Sequence, residues 1–305
     1  MVRRISPSQY RSMVRQAQSK QRQAINQFNQ RVRSHNAKIR QAQNRQRQAI
    51  NKFNQEVRTH NARVRANRDR LRRELQKLTR ASSRPQYATF RTSVEAVQRS
   101  YLKVERRADS NQYDERYNFF LDLAEQEAAN SVSVINALQG EEPEPQREDQ
   151  FTPSRIDPVL SEFSSDVRDR WHGALFALDP KNPDAARHFC TSARELLTAI
   201  LERFASDGEV HAEMPYCDLT PQGKPTRRSK IRFLLQKSGI SDDAITEFVE
   251  NNMENVVQLF NVCNSATHGS SGKFNQLQLH VIRARVENAI CFLGEIILGR
   301  GLNPV

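Results

Sequence analysis

The sequence predicts an all-α protein made of a long N-terminal helix, a helical hairpin and a C-terminal helical bundle. Three observations support this prediction. Neither glycine nor proline occurs between Pro7 and Pro85, and the first glycine of the 305-residue chain is Gly140. A unit of 25 residues is repeated within this stretch. Farther along, apolar residues recur at three- and four-residue spacing, which is typical of amphipathic helices.

Residues 1–85 are interpreted as one long helical arm, since the strongest helix breakers are absent from it. Residues 16–40 read QAQSKQRQAINQFNQRVRSHNAKIR, and residues 41–65 repeat them as QAQNRQRQAINKFNQEVRTHNARVR. Seven turns for each repeat give about 3.57 residues per turn, so we expect a helix or a shallow coiled coil. The apolar seam is thin and carries His35 and His60. Packing on another helix, nucleic-acid binding and partial disorder all stay open.

The positive charge belongs to this arm. Residues 1–80 hold 22 Lys and Arg against 3 Asp and Glu, whereas residues 81–150 hold 8 against 13 and residues 151–305 hold 17 against 19. Such a segment favours nucleic acid as its partner, ahead of an acidic protein or an anionic membrane surface. We also expect the N-terminal helix to form a homo-oligomer or to bind a protein partner.

The rest of the chain is divided by its composition. Residues 86–139 show two apolar helical patterns, which predict a helical hairpin. Residues 140–153 are acidic and contain proline, as in an exposed linker. Residues 154–305 predict a helical bundle, and the excursion 207–226 is interpreted as a long non-helical loop with room for short strands.

Cysteine usage and hydropathy favour a cytoplasmic protein. The four cysteines, Cys190, Cys217, Cys263 and Cys291, form no C-x-x-C pair, and no apolar signal run begins the chain. No apolar stretch reaches the ~20 residues needed to span a bilayer, so no membrane segment is predicted.

One loop concentrates polar groups near the end of the chain. It holds Asn264, His268 and Lys273 among small residues. Imidazole titrates near neutrality and ammonium neutralises phosphate, so these side chains could act as an acid/base and a phosphate ligand. The alternative is a helix C-terminus, because Gly269 permits the left-handed backbone that often ends helices.

Two helices offer further cations. Arg194 shares a polar helix face with Arg187 and Thr191. Arg227, Arg228 and Lys230 open another helix, where backbone N–H groups and cations favour phosphate. A solvated face and a basic surface turn are the corresponding alternatives.

Metal and nucleotide motifs are weak. His188, Cys190, His211 and Cys217 have zinc-compatible atoms without zinc-like spacing. The sequence has no Walker loop, no G-x-G-x-x-G and no G-x-S-x-G. No cofactor is therefore predicted, and a divalent metal is not excluded.

The C-terminal half resembles a bacterial family of predicted pPIWI-associating nucleases, which are found beside defence genes. The resemblance is carried by RHFCTSARELL at 187–197, PTRRSKIR at 225–232 and THGSSGKF at 267–274. A looser likeness is to HEPN-type ribonucleases, helical bundles whose metal-independent site pairs an arginine and a polar residue with a histidine four residues after the latter. Asn264 and His268 match that spacing, and Cys263 stands in the place of the arginine. HEPN-type catalysis would therefore need Arg194 or Arg227 to supply the guanidinium from another helix.

The expected function is that of a cytoplasmic nuclease of a defence or conflict system, which hydrolyses or transesterifies phosphodiesters in RNA or DNA. His268 is the expected acid/base, Asn264 orients it, and Arg194 acts on the phosphate. The expected phosphate ligands are Arg227, Arg228, Lys230 and Lys273. The alternative is a non-catalytic adaptor that binds nucleic acid or a partner through a coiled coil.

Overall fold

The structure is a computed structural model that describes residues 6–81, 84–110, 117–141, 156–179, 181–182, 184–265 and 274–298. Within these residues it is all-α, as the sequence predicted, and one isolated bridge between Leu219 and Pro225 is the sole β-type pairing there. The helices are α1 (Pro7–Arg80), α2 (Ala88–Asp109), α3 (Tyr117–Gln139), α4 (Asp157–Phe163), α5 (Ser165–Phe176), α6 (Ala185–Phe204), α7 (Asp207–Glu213), α8 (Arg227–Lys237), α9 (Asp243–Ser265) and α10 (Gln276–Leu298). None of them is long and apolar enough to cross a membrane.

The chain divides into two compact units, residues 1–62 and residues 63–305. The first unit consists of the N-terminal part of α1, and its side chains are exposed from residue 6 to residue 59. The division falls earlier than the boundary at residue 85 expected from composition. Leu71 and Leu78, near the end of α1, are buried in the core of the second unit. The second unit therefore includes the last turns of α1.

A single apolar core runs through the second unit, from Leu71 to Ile296. Apolar residues at helical spacing on α6 and α9 are in it, among them Phe189, Ala193, Leu196, Phe248 and Phe260. Helices α2 and α3 pack against α9 and α10, so the hairpin and the C-terminal bundle share this core. Phe120, Phe248 and Phe292 meet edge to face or tilted at its centre, with centroids 5.8 to 6.1 Å apart.

The excursion 207–226 differs from its expected conformation, because its first part is α7. Ser206 caps this helix by accepting a hydrogen bond from the Glu209 backbone, and the Glu209 side chain accepts one from the Ser206 backbone. This reciprocal arrangement satisfies two N–H groups at the helix start. The S-x-x-E spacing that signals it was present in the sequence and was overlooked.

A buried ion pair joins the helices of the second unit. The guanidinium of Arg285, on α10, donates to Glu127 on α3 at 2.6 Å and to the side-chain oxygen of Asn252 on α9 at 2.6 Å. It also donates to Asn255 on α9 at 3.1 Å. Asn255 in turn donates to Ser93 on α2 at 2.9 Å. All five side chains are buried, so the network connects four helices inside the protein.

Replacement of Arg285 by methionine should destabilise the protein strongly, since Glu127 would be left as a buried charge without its partner. We expect a loss of about 3–5 kcal/mol in the free energy of unfolding, measured by urea denaturation. The matched control is Arg170→Met, because Arg170 pairs with Asp166 at 2.9 Å on the exposed face of α5. That change should cost about 0–1 kcal/mol. Equal losses in the two variants would contradict the structural role of the network.

Two helical glycines should respond to alanine in opposite directions. A Cβ at Gly294, on α10, would lie 2.5 Å from Val159 Cγ1 and 3.3 Å from Phe163 Cζ on α4. Gly294→Ala should therefore cost about 1–3 kcal/mol by overpacking. Gly173, on α5, has nothing within 4 Å of the same position, and Gly173→Ala should stabilise by about 0.5–1 kcal/mol. Thermal unfolding of the two variants checks the prediction, which fails if Gly294→Ala also raises the Tm.

Candidate active site on helices α6, α8 and α9

The candidate site lies on α9, against which both α6 and α8 pack. Cys190 on α6 and Cys263 on α9 are buried where these two helices pack together. Burial, and next the neighbouring Cys263, raise the pKa of the Cys190 thiol well above its usual value. The thiol therefore stays neutral and serves packing.

Arg194 reaches α9 from α6. Its Nη2 donates to Asn261 Oδ1 at 3.0 Å, and its guanidinium carbon lies 6.0 Å from the centroid of the Phe260 ring. Its Nε is buried without a hydrogen-bond partner among the described atoms. Asn261 stands three residues before Asn264, which is half-buried in the last turn of α9. The structure thus brings a guanidinium from another helix to the end of α9, close in sequence to Asn264.

A row of polar side chains on α9 leads to this contact. Glu254, Gln258 and Asn261 follow one another at four and three residues, which places them on one helix face. Gln258 Nε2 donates to Glu254 Oε1 at 2.7 Å, and Asn261 Nδ2 donates to Gln258 Oε1 at 3.4 Å. These residues were not singled out from the sequence. The signal was their shared spacing on a helix that is otherwise largely apolar, and Asn264 continues it.

Arg227 is the second cation of the site. It is the first residue of α8, whose start is fixed by Thr226: the Thr226 side chain accepts from the Ser229 backbone at 3.2 Å. Burial lowers the pKa of Arg227, the Glu254 carboxylate raises it in part, and the Arg194 guanidinium lowers it further. A guanidinium nevertheless stays charged at neutral pH.

The start of α8 is electrostatically unfavourable without an anion. Arg227 and Arg228 occupy the first turn, which has no acidic residue. Because the N-terminus of a helix carries partial positive charge, cations there weaken the helix and anions strengthen it. Arrangements of this kind bind phosphate readily.

Arg228 is partly engaged by the protein itself. Its Nε donates to the buried carboxylate of Glu250, which Arg232 shares. The Arg228 side chain nevertheless keeps 57% of its surface exposed. It therefore stays accessible to a ligand.

Lys230 has surroundings unlike those expected of a phosphate ligand. Its side chain is only 5% exposed, and its ammonium pairs with Glu202 on α6 and with Asp207 on α7, the latter at 2.7 Å. The contact with Lys230 is the largest cause that lowers the pKa of Asp207. The ammonium is thus already neutralised by two carboxylates. Lys230 therefore joins α8 to α6 and α7.

His268 and Lys273 lie outside the described residues. The four possible zinc ligands noted in the sequence are His188, Cys190, His211 and Cys217. Among the described residues, no group of three or more His, Cys, Asp or Glu side chains is arranged to hold a metal ion. In that part of the chain the site consists of arginine guanidinium groups, the side-chain amides of α9 and the exposed carboxylate of Glu254.

These features define the second unit as an all-α domain in which a guanidinium from α6 meets a row of polar side chains on α9. Residues 160–293, somewhat less than half of the chain, match the family described as predicted pPIWI-associating nuclease. The resemblance predicted from the sequence is confirmed for these residues. No curated protein and no solved structure matches the chain.

Lys230→Met should lower stability and leave nucleic-acid binding unchanged. Since the folded-state pKa of Asp207 is lowered, its contribution to stability is full above the unfolded value of about 3.9 and is lost as the pH falls through the lower folded value. The Tm difference between wild type and variant should therefore be largest near neutral pH and shrink in acid. Thermal melts at several pH values measure it, with Lys181→Met, an exposed lysine, as the control. Weaker nucleic-acid binding with an unchanged Tm would return Lys230 to the phosphate ligands.

Proposed function

We propose that the C-terminal half is a nuclease that cleaves phosphodiester bonds in nucleic acid, acting in the cytoplasm as part of a bacterial defence or conflict system. The observation that carries the proposal is the contact of Arg194, on α6, with Asn261 near the end of α9. This guanidinium, with Arg227 and Arg228 at the start of α8, favours an anionic ligand. The match of residues 160–293 to predicted nucleases supports phosphate in a nucleic acid as that anion.

In the proposed mechanism His268 is the general acid/base and transfers a proton to or from a hydroxyl or a leaving oxygen. Arg194 stabilises the charge that develops on the phosphate, as donors aimed at a transition state do. Asn264 orients the histidine or the substrate. Arg227, Arg228 and Lys273 bind neighbouring phosphates. The chemistry is hydrolysis or transesterification without a resident cofactor in this proposal.

Asn261 gains a role in this scheme as a positioning residue. It holds Arg194 at 3.0 Å and is itself held by Gln258. In this scheme Arg194 replaces the arginine that a HEPN-type site has at the position of Cys263. An arginine fixed by a hydrogen bond loses less conformational freedom when it binds a phosphate.

The sequence of the arm is compatible with two roles, nucleic-acid binding and dimerisation. Its charge favours nucleic acid, since residues 6–62 hold 12 Lys and Arg against the single acid Glu56. We expect salt-sensitive binding with little sequence preference, because cations spread along a helix contact phosphates and not bases.

The test is cleavage of labelled single- and double-stranded RNA and DNA by the full-length protein, with magnesium and with EDTA. We expect His268→Ala to lower the rate about 10²- to 10⁴-fold and to leave binding intact, as for loss of a general acid/base. Arg194→Ala should lower it about 10²- to 10³-fold. The matched control is His172→Ala, whose imidazole pairs with Asp157 at 3.2 Å on α5 and α4; it should cleave normally.

Three outcomes would overturn parts of this assignment. Cleavage by His268→Ala at the wild-type rate would remove the histidine from the mechanism. Cleavage that disappears in EDTA would show a metal-dependent reaction. Binding without cleavage in every condition would favour the second candidate function, a non-catalytic adaptor, which the presence of Cys263 at the arginine position already favours.

A further inference from the structure

The N-terminal part of α1 exposes an apolar stripe, which is interrupted by His35 and His60. Within residues 6–62 the large side chains on it are uncovered, and Phe28 and Phe53, equivalent in the two repeats, are 65% and 63% exposed. The other members of this arm stripe are Tyr10, Val14, Ile25, Val32, Ile39, Ile50 and Val57. Exposed stripes of this length mark surfaces that bind another molecule.

Cations border the arm stripe on both sides. If Ile25 and Phe28 are given heptad positions a and d, Arg31 and Lys38 fall at g, next to d. Arg33 and Arg40 fall at b, just beyond the e positions. The surface is therefore apolar along its middle and basic along its edges. A helix that covers it must match both properties.

The end of the same helix shows what covers a stripe of this kind. Val57 is followed at seven-residue steps by Val64, Leu71 and Leu78, of which Leu71 and Leu78 are buried. In this second unit the neighbouring α3 supplies acidic side chains that are themselves only 3% exposed. Asp122 pairs with Arg63, and Glu125 accepts from Arg68 Nε at 3.2 Å. Asn67 also donates to Asp122, at 2.8 Å.

We propose that the arm stripe is the docking surface for an amphipathic α-helix of another protein, whose apolar face is bordered by Asp and Glu. Charge complementarity selects this occupant. A second copy would bring 12 cations against 12 with one acid on each arm, so like charges would face each other. A nucleic-acid duplex would pair with the basic edges and leave Phe28 and Phe53 in water. Single-stranded bases could stack on the two phenylalanines and would still leave the aliphatic members of the stripe uncovered. The inference does not rest on the nuclease activity.

The experiment uses the full-length protein and three labelled four-heptad peptides. The first has Leu at a and d and Glu at e and g, the second has Lys at e and g, and the third has the composition of the first in shuffled order. The Glu-flanked peptide repels itself and is therefore free to pair with the arm. Fluorescence anisotropy should show at least tenfold tighter binding of the first peptide than of the other two.

Variants of the arm locate the binding surface. Phe28→Ser/Phe53→Ser should weaken binding of the Glu-flanked peptide at least tenfold. Gln30→Ser/Gln55→Ser, about 200° around the helix from the phenylalanines, is the matched control and should bind normally. Arg31→Glu/Lys38→Glu should shift the preference from the Glu-flanked towards the Lys-flanked peptide. All three pairs of residues are exposed, so the substitutions should leave α1 helical. Circular dichroism of each variant checks this.

Three results would overturn the proposal. Equal binding of the shuffled acidic peptide would mean that charge alone acts. A doubled mass in sedimentation, lost in Phe28→Ser/Phe53→Ser, would make a second copy the occupant. Loss of oligonucleotide binding in that same variant, without loss of peptide binding, would assign the stripe to nucleic acid.

Discussion

The second unit depends on one fully buried guanidinium, that of Arg285. An arginine without its partners would be too costly to bury, so α3, α9 and α10 must pack with Glu127, Asn252 and Asn255 in fixed positions. Apolar side chains alone would tolerate small shifts along the helices, whereas a hydrogen-bonded fork tolerates few. The network therefore sets the register of these helices more strictly than the surrounding apolar core does. It supplies specificity of packing, and the apolar core supplies most of the stability.

Helix α9 transmits this constraint to the candidate site. Its inner face carries Asn252 and Asn255, and its outer face carries Glu254, Gln258 and Asn261. Because both faces belong to one rigid helix, a fixed register inside fixes the position at which Asn261 meets Arg194. The role proposed for Arg194 needs placement of this kind, since small displacements from the phosphate would weaken its effect. The buried network and the polar row thus lie on opposite faces of the same helix, α9.

Much of the fold could be predicted from the sequence, and the rest depended on contacts between distant segments. Helical spacing identified the core faces of α6 and α9, and the absence of glycine and proline predicted α1. The sequence could not predict that α1 enters the core near Leu71, because apolar residues recur at the same spacing before and after Leu71. Arg285 gave no local sign of burial, since arginine is rarely fully buried. At the site, Arg194 and Arg227 were found from their helix faces, whereas Asn261 and the burial of Lys230 followed only from packing.

One helix with one spacing thus lies in two environments. Acidic side chains of α3 lie beside residues 63–80, where Leu71 and Leu78 are buried. Residues 7–59 have exposed apolar side chains at the same spacing, and their cations far outnumber the single acid Glu56. A long polar helix gains little stability from its own backbone. Apolar side chains on an uncovered face do not stabilise the free helix either, and they lower the solubility of the protein. The repeat restores this face after 25 residues with the same large side chains. Such regularity is expected of a surface that pairs with another helix along its length, because every turn must then meet its partner in the same way.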